Sequence, residues 1–161
     1  MFHKFKKIKW KRGGGEMLGF AICAPLIILL ICAILSAGYV SSANQKLTYT
    51  AYCVSRAACV SDGPERATLR AEAVFKDIYG DYADGVQFIT VTGTPSVPRL
   101  DTNHVYAVIQ ILGPEWKKGT LIRCTTYEYL NPLVPFAASL HSQSITMMIE
   151  NAPTEYGEDT A

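Results

Sequence analysis

Residues 17–40 form an uninterrupted run without Asp, Glu, Lys or Arg, and this run limits the folds that are open to the chain. Its 24 residues would measure about 36 Å as an α-helix. The hydrocarbon core of a bilayer is about 30 Å thick, so a helix of this length can cross it. We therefore predict a membrane-spanning helix over residues 16–40 and a single pass through the cell membrane.

Basic residues are concentrated before this run. Six of the 15 Lys and Arg residues lie within the first twelve positions, where there is no Asp or Glu. Lys and Arg collect on the cytoplasmic side of membrane spans. Residues 1–15 are thus predicted to be a cytoplasmic head, and the chain after Val40 to be extracytoplasmic. Aromatic residues between the lysines suit anionic headgroups, which makes nucleic acid the weaker interpretation of the basic head.

A cleaved secretory signal is the main alternative to a retained anchor. Ser41, Ser42 and Ala43 offer small residues at a plausible cleavage position. However, the apolar regions of signal peptides run roughly 7 to 15 residues, and the run seen here is longer. Its length favours an anchor that stays on the mature protein.

Residues 41–80 are predicted to form an extracytoplasmic helical region. The membrane helix should continue to about Asp62, because apolar residues recur at helical spacing at Leu47, Ala51, Val54 and Ala58. Asp62 is the expected N-cap of a second helix, with Pro64 in its first turn, and Gly80 is the expected stop. The apolar face of this second helix comprises Ala67, Ala71, Val74, Phe75 and Ile78.

Past Gly85 the apolar period changes from 3.6 residues to two, and four segments are predicted to be strands: residues 86–92, 104–112, 120–129 and 144–150. Glu128 and Glu150 alternate with apolar neighbours and are expected to point to solvent. The predicted fold is α+β, with the long N-terminal helix packed on a small four-stranded antiparallel sheet in residues 81–150. Residues 151–161 are acidic and turn-rich and are predicted to be a disordered tail.

The sequence contains no pattern typical of a catalytic centre. There is no nucleophile elbow and no phosphate-binding glycine loop. His3, His104 and His141 are scattered, with His104 expected to open a strand and His141 to lie in a loop. We therefore predict no catalytic residues, no metal site and no cofactor.

The cysteines allow one disulfide to be considered. Cys23 and Cys32 fall inside the predicted span, whereas Cys53, Cys59 and Cys124 would lie on the oxidising side. Cys53 and Cys59 are six residues apart, so they cannot bridge each other within a continuous helix. A bridge between Cys59 and Cys124 is one hypothesis, and three free thiols is the other.

Small residues recur four apart in the predicted span, at Gly15 and Gly19 and again at Ala33, Ala37 and Ser41. This spacing lets membrane helices approach one another closely, although it also arises by chance in alanine-rich spans. Pro25 should kink the helix or leave the carbonyl of Ala21 without a partner. We predict that these residues shape the packing of the membrane helix.

The order of these parts resembles the TadE-like family, membrane-anchored minor pilins or pseudopilins of tight-adherence pilus systems. The entry motif "RGGGEMLGFAICAPLIILL" is similar to the family pattern of Arg-Gly, small residues, a carboxylate, Phe-Ala and Pro at the start of the span. The juxtamembrane "LTYTAYCVSRAACV", the later "TTYEYLNPLVPF" and the closing "SQSITMMIEN" also resemble family segments.

This resemblance implies a pilin-like fold and a structural or assembly role in a pilus or related secretion machine. Its partners would be other pilin subunits and pilus assembly platform proteins. It also implies a cut by a prepilin-type peptidase after a glycine, with Gly14, Gly15 and Glu16 as the candidate residues. The family carboxylate usually stands immediately before Phe, a position that Gly19 occupies here. Uncut, Glu16 would instead be stabilised at headgroup depth by the positive end of the helix dipole.

Two other classes of protein remain open. An anchored binding module or adhesin would present an aromatic patch on the sheet face away from the helix, with Tyr127 and Tyr129 as the residues concerned. An anchored hydrolase would need a cleft that brings His104 or His141 within hydrogen-bond reach of a Ser, Cys or carboxylate.

Overall fold

The computed structural model describes residues 13–98, 100, 104–131 and 139–151, without the side chains of residues 13–16 and 18. The predicted basic head, apart from the backbone of residues 13–15, lies outside the described residues. So does the predicted tail from residue 152 onward.

One helix, α1, runs from Gly13 to Cys59 over 47 residues. It combines the predicted membrane span with the predicted juxtamembrane helix and continues through Pro25. The outer half of α1, residues 41–59, buries the expected stripe completely, at Leu47, Ala51, Val54 and Ala58. These residues are three or four apart, which places them on one face of a helix with 3.6 residues per turn.

The second helix, α2, spans Pro64–Tyr79 and buries Ala67, Ala71, Phe75 and Tyr79. Gly80 ends it with a φ of +57°, a left-handed conformation that glycine adopts without a steric penalty. The expected N-cap was wrong by one residue, because Gly63 occupies that position. The Asp62 carboxylate instead accepts a hydrogen bond at 2.7 Å from Arg66, one turn into α2. A short 3₁₀ turn, Gly80–Tyr82, follows α2.

The sheet contains β1 (Ala83–Ile89), β2 (Val105–Ile111), β3 (Leu121–Leu130) and β4 (Ser139–Met148), in that spatial order. The expectation of a purely antiparallel sheet was wrong, because β1 pairs with β2 in parallel. Only the β2–β3 and β3–β4 pairs are antiparallel. Residues 90–104 make the parallel pairing feasible, since such a crossover needs a dozen or more residues. The Ser96 N–H donates to Gln87 Oε1, which places this residue of the connection at the sheet face opposite the helices.

The helix-facing side of the sheet carries every second residue of β2 and β3. From β2 it buries Val105, Ala107, Ile109 and Ile111, and from β3 it buries Ile122, Cys124, Thr126, Glu128 and Leu130. Glu128 was expected to face solvent, but it belongs to the set of β3 residues that face the helices and is only 8% exposed. Strand β4 begins five residues earlier than expected, so His141 lies in a strand and not in a loop. Its first residues are mostly polar, so the sequence there lacks the alternation of apolar and polar residues that would predict a strand.

Phe75 joins the two helices to the sheet and is fully buried in the core. We expect Phe75→Ala to lower the free energy of unfolding by about 3–5 kcal/mol, because the large cavity cannot be refilled completely. Leu69→Ala on the exposed side of α2 should change it by less than about 0.5 kcal/mol. Denaturant unfolding of the full chain in detergent measures both. Equal effects at the two positions would contradict this packing.

Candidate membrane and assembly surface

The inner half of α1, residues 13–40, presents an apolar surface with little protein around it. Large apolar side chains are exposed on all sides of it, at Met17, Phe20, Ile22, Leu26, Ile27, Ile28, Leu29, Leu30, Ile31, Ile34 and Leu35. Only 6% of its most apolar 18-residue window is buried, whereas the core helix of a soluble protein would be mostly buried. A contiguous apolar surface of this size marks a membrane or partner contact. This helix is long and apolar enough to cross a membrane.

The small residues predicted to shape helix packing lie on this open part of α1. Ala33, Ala37 and Ser41 are exposed, and a Cβ added at Gly19 would meet nothing within 4 Å. The row of Ala33, Ala37 and Ser41 is thus free of contacts that would block a second helix. The backbone of residues 14–16 is helical, but their side chains are outside the description. The packing and processing roles therefore remain predictions.

The outer end of α1 is fastened to the rest of the domain through the carbonyl of Cys59 and those of the next two residues, Val60 and Ser61. The last carbonyls of a helix have no partner within the helix and need donors from elsewhere. The Glu150 N–H donates to the Cys59 carbonyl at 3.0 Å, and Asn151 Nδ2 donates to the Val60 carbonyl at 3.0 Å. Trp116 Nε1 donates to the Ser61 carbonyl at 3.2 Å. Asn151, expected at the start of the tail, therefore belongs to the folded domain.

An ion pair between Arg56 and Glu150 lies beside these backbone bonds. Both side chains are about half exposed, so water screens the pair and its contribution to stability is small. The backbone bonds and the buried stripe, and not this pair, hold α1 on the sheet. Together they make the outer half of α1 and the domain one unit.

A polar cluster lies at the other end of the contact between α1 and the sheet. Lys46 Nζ lies 4.0 Å from the centre of the Tyr79 ring. Burial raises the pKa of Tyr79 to about 12 and also raises the pKa of Glu128, which Lys46 partly offsets. Within the described part of the chain, Glu128 Oε2 is buried without a hydrogen-bond partner. The carboxylate of Glu128 is therefore less stable in the folded protein than in water.

Glu128→Gln should flatten the dependence of stability on pH. The folded-state pKa of Glu128 lies above the unfolded value, so folding favours the protonated form. The wild-type free energy of unfolding should fall as the pH rises from the unfolded pKa through the folded one. Unfolding curves at successive pH values should show a smaller fall for Glu128→Gln than for wild type. Glu65→Gln, at an exposed position, is the control and should retain the wild-type dependence. A Glu128→Gln curve parallel to wild type would contradict the assignment.

The cysteines of the proposed bridge lie in the same core. Cys59 and Cys124 are both fully buried members of the central cluster and are free thiols in the structure. Burial raises the pKa of Cys59 to about 11 and that of Cys124 to about 12, which suppresses the reactive thiolate. Cys53 is half-buried on α1. The Cys59–Cys124 bridge stays a prediction.

Each of the two histidines in the described part of the chain has a polar neighbour. His104 Nδ1 lies 2.7 Å from Asp84 Oδ1, and His141 Nε2 lies 2.9 Å from Ser139 Oγ. The sequence did not indicate Ser139 as a partner of His141. The two residues are two apart, which brings their side chains to one face only in a strand, and residue 139 was not predicted to be in a strand. Ser139 and its neighbours Leu140 and Ser142 are exposed on the edge strand β4.

The sheet face away from the helices carries the tyrosines predicted for a binding module. Tyr127 lies opposite Tyr106 on β2, and Tyr129 lies opposite Leu140 on β4. The three tyrosines are half-buried, and Leu140 is exposed. The face therefore holds a small aromatic group whose side chains are only partly accessible to solvent.

Comparison with known proteins supports part of this description. Residues 18–56 match the model of the TadE-like protein family, which confirms the resemblance over this range. The match covers most of α1, both its open apolar half and most of its buried half, and leaves the sheet outside. No curated protein and no solved structure matched the chain.

Proposed function

We propose that the chain is a single-pass membrane protein of a tight-adherence pilus system, acting as a minor pilin-like component in the assembly of the filament or its export machine. The observation that carries this proposal is the coincidence of the family match, residues 18–56, with a single helix that is apolar and open at one end and packed at the other. Such a helix serves as anchor and as scaffold at once.

The proposed role is mechanical and involves no chemical step. The inner half of α1 lies in the bilayer with its basic head on the cytoplasmic side, where Lys and Arg are favoured. Its row of small residues packs against helices of other pilin subunits. The domain, fastened to α1 through the carbonyls of residues 59–61, is held at the cell surface for lateral contacts with subunits or platform proteins.

Processing of the N-terminus belongs to the same proposal. A cut after Gly14 or Gly15 would place Glu16 at or beside a new ammonium group, where its carboxylate could pair with a neighbouring subunit inside the lipid. Mass spectrometry of the mature chain tests this directly. A mass that includes residues 1–12 removes the processing step and leaves the anchoring role intact.

Deleting the gene should abolish or strongly reduce surface filaments, counted by electron microscopy, and the wild-type gene should restore them. Complementation with the double variant Ala33→Leu and Ala37→Leu should fail, because the added side chains keep a second helix from approaching. The matched control, Ile34→Leu with Leu35→Ile, conserves volume on the same helix and should restore filaments. Immunoblots must show equal amounts in the membrane. Unchanged filament numbers after deletion would contradict an essential assembly role.

An anchored binding module is the second candidate, and the pairing of Tyr106 with Tyr127 on the outer face is the observation that favours it. The same deletion strain separates the two functions. Loss of surface attachment with normal filament numbers would support the binding module.

A further inference from the structure

The strands of the sheet run alongside α1, and two contacts define how they are aligned. Thr126 Oγ1 on β3 donates to the Leu47 carbonyl at 3.0 Å, and Thr126 pairs with Gln143 on β4. Further along, the Glu150 N–H just after β4 donates to the Cys59 carbonyl. Strand β4 therefore advances in the same direction as α1, away from the apolar half. Strand β3 is antiparallel to β4 and runs toward that half.

This alignment places one end of the sheet level with the apolar span. From Leu47 to Cys59 the helix rises about 18 Å, while Gln143 to Glu150 covers about 23 Å of strand. Leu130 lies four residues beyond Thr126, about 13 Å along β3. On α1 this corresponds to about seven to nine residues before Leu47, that is, residues 38–40. The end of β3 is therefore level with the last residues of the predicted membrane span, residues 16–40.

The burial pattern on α1 supports this level independently. The covered face of the helix continues from Leu47 through Asn44 and Val40 to Ser36, at the same three- and four-residue spacing. Ser36 is only 6% exposed, although the residues on either side of it, Leu35 and Ala37, are exposed. The protein thus covers one face of α1 to a depth of four residues inside the predicted span, which ends at Val40.

The side chains at this corner of the sheet suit the bilayer surface. Strand β4 contains no Asp, Glu, Lys or Arg. Leu140 is 51% exposed and lies beside Tyr129, with both on the face away from α1. Tyrosine is enriched where a membrane meets water. Exposed Asp81 and Asp84 lie at the same end of the sheet but at its opposite edge, in the 3₁₀ turn and the start of β1, so they are separated from this corner by the width of the sheet.

We propose that the corner formed by the end of β3 and the start of β4 rests in the interfacial layer of the lipid bilayer, with Leu140 and Tyr129 in contact with lipid. This second contact rests on the proposed membrane span of α1. It restricts the tilt of the domain, because the outer half of α1 and the domain move as one unit and the corner sets the direction in which that unit leans toward the bilayer. The lateral surface offered to other subunits then has the same tilt and the same height above the membrane in every copy.

Tryptophan placed along the exposed face of β4 tests the proposal. The full chain, in a Trp10→Phe background, is reconstituted in phosphatidylcholine vesicles with or without bromine on the acyl chains, which quenches nearby tryptophan. Single variants carry tryptophan at the five exposed positions that step away from the corner, about 7 Å apart: Leu140, Ser142, Ser144, Thr146 and Met148. Ile28→Trp is the reference inside the span, and the unsubstituted background gives the baseline from Trp116.

We expect bromine to reduce the emission of Ile28→Trp and Leu140→Trp, with a smaller loss at Ser142 and the baseline value at Thr146 and Met148. Tyr129→Trp on the neighbouring strand should also lose emission and replaces Leu140→Trp if that variant fails to fold by circular dichroism. Leu121→Trp, from a leucine of similar exposure (46%) at the opposite end of the sheet, should stay at baseline.

Two failures are distinguishable. If Ile28→Trp is quenched while Leu140→Trp and Tyr129→Trp stay at baseline, the corner does not contact lipid and this inference is wrong. If Ile28→Trp also stays at baseline, α1 is not in the bilayer and the proposed anchoring fails with it.

Discussion

The structure depends on the burial of one stripe of α1, residues Leu47, Ala51, Val54 and Ala58, against α2 and the sheet. Two of these four side chains are alanine, so the helix lies close to its neighbours, and Phe75 and Ile122 fill the remaining core. The same helix has no such protein environment over most of its inner half, where its apolar side chains are exposed. One helix is therefore packed against protein at one end and has a surface suited to lipid at the other. Because helical hydrogen bonds are internal to the segment, the backbone needs no change between these two surroundings.

Polar groups at this contact are satisfied unevenly along α1. At its outer end, the carbonyls of the last helix residue and of the two residues after it receive donors from Glu150, Asn151 and Trp116. Toward the apolar half, Glu128 is buried with an oxygen that has no partner among the described residues, and its pKa is raised. A buried and imperfectly paired carboxylate destabilises a fold, so this end of the contact is the weaker one. The proposed lipid contact of Leu140 and Tyr129 would support the domain at this weaker end.

The sequence predicts the helices well and the sheet less well, for physical reasons. The stripe from Leu47 to Ala58 is visible because a helix places residues three and four apart on one face. The parallel pairing of β1 with β2 is not visible in either strand, since it depends on the path of residues 90–104 across the sheet. The start of strand β4 was predicted too late, because its first residues are mostly polar and lie on an edge strand, so they show no apolar alternation. Glu128 was expected in solvent because it alternates with apolar neighbours, but the structure shows that its side of β3 faces the helices, where it is 8% exposed. For the candidate surface, the packing role of the small residues in the span stays a prediction, whereas the Leu140 corner is not visible in the sequence because it requires the strand alignment.

Membrane extraction combined with protease access tests the central claim most directly, namely that α1 crosses the bilayer once and holds the sheet outside the cytoplasm. The chain carries an epitope tag at its C-terminus in cells whose envelope admits protease. The claim predicts that alkaline carbonate leaves the protein with the membranes and that added protease removes the tag while a cytoplasmic marker stays intact. Release by carbonate without detergent, or a tag that protease reaches only after the inner membrane is opened, would contradict it.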